Sequence, residues 1–313
     1  MKEGLYTSDK ESSFVPLEEI KKRLSFPDKK QPEVSFEEVA GLIGKAREIN
    51  DKFEVGQTEA LWKPATEYPD KPIVVALVTD EHFGSVVSNP GLLQEHLDII
   101  EQTDNMFVVF NGDNVDNFNA TGKWATGMME NPLPPQIISR SYMRRLKRMD
   151  DQAKIGVMSF GNHNDFGFAG GQDWYETFLG EFNCPVFTTG GLLHVATASQ
   201  TYDLALTHMY WGNSKLNPTN MCKRFMDFEY PNADIAFLGH VHQSEGLHFD
   251  KGGKDRVACI GGTYKDKDNF ARKHGIGGRA GSPGWAVALW PNERKMQLFK
   301  DIKVAQGWLK GQL

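Results

Sequence analysis

Five apolar runs in this chain each end in side chains that can bind metal. After VALV come Thr79, Asp80, Glu81 and His82. After FVVF come Asn111, Gly112, Asp113, Asn114, Val115 and Asp116. After GVMSF come Gly161, Asn162, His163, Asn164 and Asp165. LALT is followed by His208, and IAFL by Gly239, His240, Val241 and His242. Carboxylates, imidazoles and amides gathered in one place are donors suited to divalent transition metals. Taken singly, each group reads better as a turn, because Gly, Asn and Asp favour turn backbone. Five such groups in succession, each closing an apolar run, point instead to one metal-binding cleft.

The elements that must position these groups are legible from Lys71 onward. PIVVALVT, MFVVF, KIGVMSF, YDLALTH, DIAFLGH, RVACIGG, GWAVALW and MQLFKDIK read as strands. GLLQEHLDIIEQ and SRSYMRRLKRMDDQ read as the helices between the first three. The order β-α-β-α-β followed by a strand-rich half predicts an α/β domain with buried sheets. Ligands in such domains gather at the carboxyl ends of the strands. Residues 1–70 differ in texture. PLEEIKKRL and SFEEVAGLIGKAREIN read as two amphipathic helices, Ser35 and Glu38 form a capping box, and no strand is expected there. The expected organisation is a helical extension over 1–70 and a main α/β domain over 71–313.

The 313 residues carry a formal net charge of −6, which excludes a surface that is basic throughout. The longest apolar run is far too short to span a bilayer. The opening residues MKEGLYTSDKESS carry no apolar leader. Cys184, Cys222 and Cys259 form no CxxC pair and read as small buried hydrophobes. A cytoplasmic protein without membrane contact is the expectation.

The order D-x-H, GD-x-x-D, GNH, H, GH-x-H resembles the calcineurin-like metallophosphoesterase superfamily, over roughly Ile73 to Lys303. The resemblance implies an α-β-β-α sandwich of four layers and a metal-dependent hydrolase of phosphoric esters. It implies a dinuclear centre with a metal-bound hydroxide as nucleophile. Asp80, His82 and His242 would hold one cation; Asn162, His208 and His240 the other. Asp113 would bridge the two, and His163 would meet the phosphate and assist the leaving group. Manganese is the first expectation for both ions, with iron, zinc and nickel as alternatives, since imidazole suits them all. Many family members have an acidic residue after the GNH histidine to orient it. Here Asn164 stands in that place, followed by Asp165.

The substrate divides two ways. A phosphodiesterase or nuclease acting on DNA or RNA is favoured by the resemblance to nuclease-like members; a protein or nucleotide phosphatase is the alternative. A binding module on the same fold is a third reading, opposed by the intact ligand set. Asp116 reads either as a hydrogen-bond acceptor beside the ligands or as a loop cap. Glu81 is expected to turn away from the cleft, because alternate residues of an extended segment face opposite sides. The loop Asn117–Gln136, with Trp124, Met128 and Met129, reads as a wall of the substrate cleft or a dimer contact, the plain alternative being packing of the loop onto the body. Lys265 and Arg272, in the glycine-rich segment Gly261–Trp285, are candidates to contact phosphate or to stand behind the ligands; an ordinary loop between strands is the other reading. Arg140, Arg144 and Arg148 form one helical stripe, read as a solvated outer face.

Overall fold

The computed structural model describes residues 35–53, 58–116, 131, 133–164, 180–212, 214, 216–266 and 282–313. The chain divides into two compact units, Met1–Glu54 and Val55–Leu313. The first contains helix α1 (Phe36–Phe53). Its start is the expected capping box: Glu38 N–H donates to Ser35 Oγ at 3.1 Å, and Ser35 N–H donates to Glu38 Oε2 at 2.8 Å. The other proposed N-terminal helix lies outside the described residues.

The second unit holds strands β1 (Glu59–Trp62), β2 (Ile73–Val78), β3 (Met106–Asn111), β4 (Ile155–Ser159), β5 (Val186–Phe187), β6 (Gly191–Ala196), β7 (Thr201–Thr207), β8 (Ile235–Leu238), β9 (Glu245–Lys251), β10 (Lys254–Ile260), β11 (Trp285–Leu289) and β12 (Met296–Phe299). Its helices are α2 (Pro90–Gln102), α3 (Pro135–Asp151), α4 (Asn220–Phe228) and α5 (Ile302–Lys310). One sheet runs β1-β6-β7-β8-β10-β9 and the other β12-β11-β2-β3-β4-β5. Strands β2, β3 and β4 are mutually parallel, as are β7 and β8.

The continuous apolar runs follow from burial on both faces. In β2, Ile73, Val75 and Leu77 point into the core between the sheets, with Phe107, Val109, Leu204, Leu206 and Phe237. Val74, Ala76 and Val78 point the other way, against Leu93 and Leu97 of α2, Leu146 of α3 and Ala305 of α5. On the far side, Ala205 and Ala236 pack on Cys222 and Met226 of α4. The layers are therefore helix, sheet, sheet, helix, as the resemblance implied. No helix among the described residues is long and apolar enough to cross a membrane.

All eight expected strands form, as do both helices expected between the first three of them. Four strands were not expected, and the extent of one was wrong. β1 lies in the segment read as helical; it is four residues long, too short to show a period. It pairs in parallel with β6, and Trp62 packs edge-on against Phe107 with ring centroids 5.5 Å apart. MQLFKDIK does not continue as a strand to Lys303. It stops at Phe299, because Asp301 Oδ1 accepts the N–H of Lys303 at 2.7 Å and opens α5. The arginine stripe lies on α3 with Arg140, Arg144 and Arg148 all exposed. Cys222 and Cys259 are buried, and burial pushes both thiols up.

A charged clasp ties the edge strand β1 to its sheet. His194 Nε2 lies 2.7 Å from Glu59 Oε1, and His194 Nδ1 lies 2.7 Å from Asp203 Oδ1. The bond to Glu59, opposed by partial burial and helped by Asp203, raises the pKa of His194 above its ordinary 6.5. The clasp's stabilisation is thus fully present below about pH 6.5 and is lost as pH rises through the higher folded value. The thermal midpoint of wild type should exceed that of His194→Gln most at pH 6 and least at pH 9. A gap independent of pH would leave His194 a packing role only.

Candidate metal centre

The polar groups that follow β2, β3, β4, β7 and β8 meet where the carboxyl ends of the two sheets converge. Asn111, at the end of β3, joins the sheets there. Its Nδ2 donates to Thr207 O at 2.9 Å and Phe237 O at 3.0 Å, at the ends of β7 and β8. Beyond the strands the loops continue the pairing: Asp80 N–H donates to Gly112 O at 3.1 Å, and His82 N–H to Asp113 O at 3.0 Å. Asp80, His82, Asp113, His240 and His242 all adopt left-handed backbone, with φ between 45° and 69°. Non-glycine residues rarely do so, and such strain collects at functional sites. Glycine makes the close approach between loops possible: a Cβ on Gly161 would stand 2.1 Å from Asp113 Oδ1.

Three groups of donors result, each with its ligand atoms within 4.8 Å of one another: Asp80, His82 and His242; His82, Asp113 and His163; Asp113, His208 and His240. His242 Nε2 is 3.2 Å from Asp80 Oδ1 and 3.0 Å from His82 Nε2. His208 Nε2 is 3.0 Å from Asp113 Oδ2, and His240 Nδ1 is 2.8 Å from Asn162 Oδ1. Donors on one cation, at bonds of about 2.1 Å, stand roughly 3–3.5 Å apart.

The hydrogen bonds on the far sides of the rings leave the correct nitrogens for ligation. His82 Nδ1 donates to Asp116 Oδ1 at 2.6 Å, and His208 Nδ1 donates to Asn111 O at 2.6 Å, so in the neutral rings Nε2 carries the lone pair in both. His208 Nε2 is buried and makes no hydrogen bond despite its nearness to Asp113. A buried ring nitrogen 3.0 Å from one carboxylate and 3.9 Å from another fits a cation.

The buried charges shift one another strongly. Burial would raise the pKa of Asp80, but His208 and His242 outweigh it and bring the group to about 2. Asp113 is held well below the carboxylate range against its burial, by His208 and His163. Burial lowers His208, yet Asp113 and Asp80 reverse this and lift it to about 9. His82 is lowered to about 4 by burial, against the pull of Asp116, and is neutral. Glu81 turns away towards α3: its Oε1 accepts from Tyr142 Oη at 3.3 Å and from Asn114 Nδ2 at 2.7 Å, and burial raises it to about 8.

His163 lies beside these groups. Its Nδ1 donates to Asp116 O at 2.5 Å, its N–H donates to Asp113 Oδ1 at 3.0 Å, and its Nε2 is 3.8 Å from Asp113 Oδ2. Asn164 does a different task from the one its position suggested. Its Oδ1 accepts from Gly161 N–H at 2.8 Å and closes the turn, while the Asp116 carbonyl orients the His163 ring. Asp116 is an acceptor beside the ligands rather than a loop cap, since its carboxylate meets His82. Lys265 points inward to Asp116 rather than outward as a phosphate contact. Asp165, Arg272 and most of the loop Asn117–Gln136 lie outside the described residues. The role of Asn111 was missed; its signal was an amide closing an otherwise apolar buried run.

A family model described as calcineurin-like phosphoesterase matches residues 73–244, more than half of the chain. The chain belongs to the calcineurin-like phosphoesterase family. Members of this family hydrolyse phosphoesters with divalent metals, and the matched residues contain every donor named above. Among solved structures, a calcineurin-like phosphoesterase, YfkN from Bacillus subtilis, is 11% identical, with a TM-score of 0.34 over 74% of this chain and 91% of that one. A predicted phosphoesterase from Streptococcus pneumoniae is 12% identical, with a TM-score of 0.33 over 73% and 90%. Vps29 from Entamoeba histolytica, solved with zinc, is 12% identical, with a TM-score of 0.33 over 72% and 98%. No curated protein matches the chain.

Proposed function

We propose that this phosphoesterase uses a dinuclear centre and acts on phosphodiesters, as a nuclease-like enzyme on DNA or RNA. The observation that carries the dinuclear reading is the double membership of Asp113, which shares one donor group with His82 and another with His208 and His240. Asp80, His82 and His242 would hold one cation, Asn162, His208 and His240 the other, and Asp113 would serve both. The chemistry such cations supply is neutralisation of the phosphate and a nucleophilic water at neutral pH. Manganese suits this donor set, as do iron, zinc and nickel.

The remaining work falls to the chain's own residues. The buried carboxylates Asp80 and Asp113 provide the negative charge that retains two cations. Asp116 aims His82 through Nδ1, and Asn111 aims His208 in the same way. His163, fixed through Nδ1 on a backbone carbonyl, stands where it can donate a proton or a hydrogen bond to the departing oxygen.

The test is hydrolysis of bis(p-nitrophenyl) phosphate and p-nitrophenyl phosphate side by side, with protein stripped of metal and reloaded with manganese. Faster diester cleavage is expected. Faster monoester cleavage would make this a phosphatase. Cleavage of neither, with manganese bound, would overturn the hydrolase reading in favour of a binding role.

A further inference from the structure

The family match ends at residue 244, and the segment that leaves β10 lies beyond it. This segment docks on the loop that carries Asp80 and His82. Tyr264 N–H donates to Asp80 O at 3.2 Å, and the Thr263 hydroxyl donates to the same carbonyl at 2.8 Å. Asn89 N–H donates to Tyr264 O, and Asp266 N–H to Val87 O, both at 2.8 Å. An antiparallel bridge pairs Ser88 with Lys265. The backbone of Lys265 is thereby held on both sides, and its side chain is directed inward.

Lys265 Nζ lies 3.1 Å from Asp116 Oδ1 and 3.2 Å from Asp116 Oδ2, with 3% of the lysine side chain and 1% of the aspartate exposed. A buried pair of this kind is a poor source of stability, because the loss of hydration of both charges can exceed their attraction. Its position supplies another reason for it. Asp116 Oδ1 also accepts from His82 Nδ1 at 2.6 Å. The three groups form one line, ammonium to carboxylate to imidazole, ending at His82 Nε2 beside Asp80 and His242.

We propose that Lys265 is a positioning residue of the metal centre: it locks the Asp116 carboxylate in place as acceptor of His82 Nδ1–H and so aims His82 Nε2 at one of the two cations. The proposal rests on the metal-centre reading above. The lysine holds both carboxylate oxygens, so that Asp116 cannot rotate away from the ring. Partners of this kind behind a metal-binding histidine change metal affinity or activity by about 10–100-fold when removed. Through Asp116 the lysine reaches the site whose donors are Asp80, His82 and His242. The group of Asp113, His208 and His240 has its own support in Asn111.

The experiment is manganese titration of the metal-stripped full chain, as wild type, Lys265→Met, Lys265→Arg, Asp116→Asn and the double variant Lys265→Met/Asp116→Asn. Lys265→Met should weaken one of the two binding events by about 10–100-fold and leave the other within about twofold. Lys265→Arg, which keeps the charge, should recover most of that loss. The double variant should lose no more than Asp116→Asn alone, because the lysine acts through that carboxylate. A purely structural ion pair would weaken both events together or neither, and either result overturns the proposal. Additive losses in the double variant overturn it as well. Should Lys265→Met fail to fold, Asp116→Asn decides, because unchanged binding there removes the link on which the lysine depends. Wild type that binds no manganese would instead refute the metal centre itself, which separates the two failures.

Discussion

Asp113→Asn is expected to abolish measurable phosphoester hydrolysis and to reduce the cations retained per chain. The substitution keeps the size of the side chain and changes only its charge and one oxygen. Asp113 is buried, its Oδ2 faces His208 Nε2 at 3.0 Å and His163 Nε2 at 3.8 Å, and its Oδ1 holds the backbone of His163 at 3.0 Å. Asparagine can keep the backbone contact through its carbonyl. Its amide N–H groups would then point at the cations, where donors are repelled. Removing one preorganised polar group from an active site costs about 10²–10³ in rate, and a shared, charged ligand should cost at least that. Metal content per chain and turnover on the faster of the two nitrophenyl esters are the measurements. Near-wild-type turnover with two cations per chain would remove Asp113 from its bridging role.

The second large effect comes from a single methyl group outside the donor set. Gly161→Ala would place a Cβ 2.1 Å from Asp113 Oδ1, 2.5 Å from Asp113 N and 2.8 Å from Asp113 Cγ. No rotation of a side chain relieves a contact with backbone nitrogen, so the turn after β4 must part from the turn after β3. Overpacking of this kind costs typically about 1–3 kcal/mol. A displacement near 1 Å at reacting groups can cost about 10²-fold in rate. Gly307→Ala is the matched control. Gly307 is exposed within α5 and has no heavy atom within 4 Å of its ideal Cβ, so alanine should stabilise the protein by about 0.5–1 kcal/mol. Urea unfolding of both variants, with metal content, checks the pair. A Gly161→Ala protein as stable and active as wild type would show that the two turns are not in contact.

The strands that carry the donors were readable because each is buried on both faces. An unbroken apolar run such as Ile73–Val78 has few other folds available, and the polar residues at its end must reach the surface or a site. The edge strands were less readable for the opposite reason. β1 and β5 are too short to show a period, and β9 is largely half-buried or exposed. α5 was hidden because its cap, Asp301, follows a strand with one residue between.

By itself the sequence determined the donor chemistry, the strand ends that present it and the family resemblance, because residue type and local periodicity are properties of neighbouring residues. The partners of the donors were decided only in the tertiary structure. Asp116 meets Lys265 across 149 positions, and the His240 N–H reaches Asp80 Oδ2 across 160. Asn164 closes its own turn and leaves the His163 ring to the carbonyl of Asp116, 47 positions away. Such choices depend on which loops the two sheets bring together and on which buried polar group would otherwise lose its hydrogen bond. Local sequence carries no record of either until the sandwich has closed.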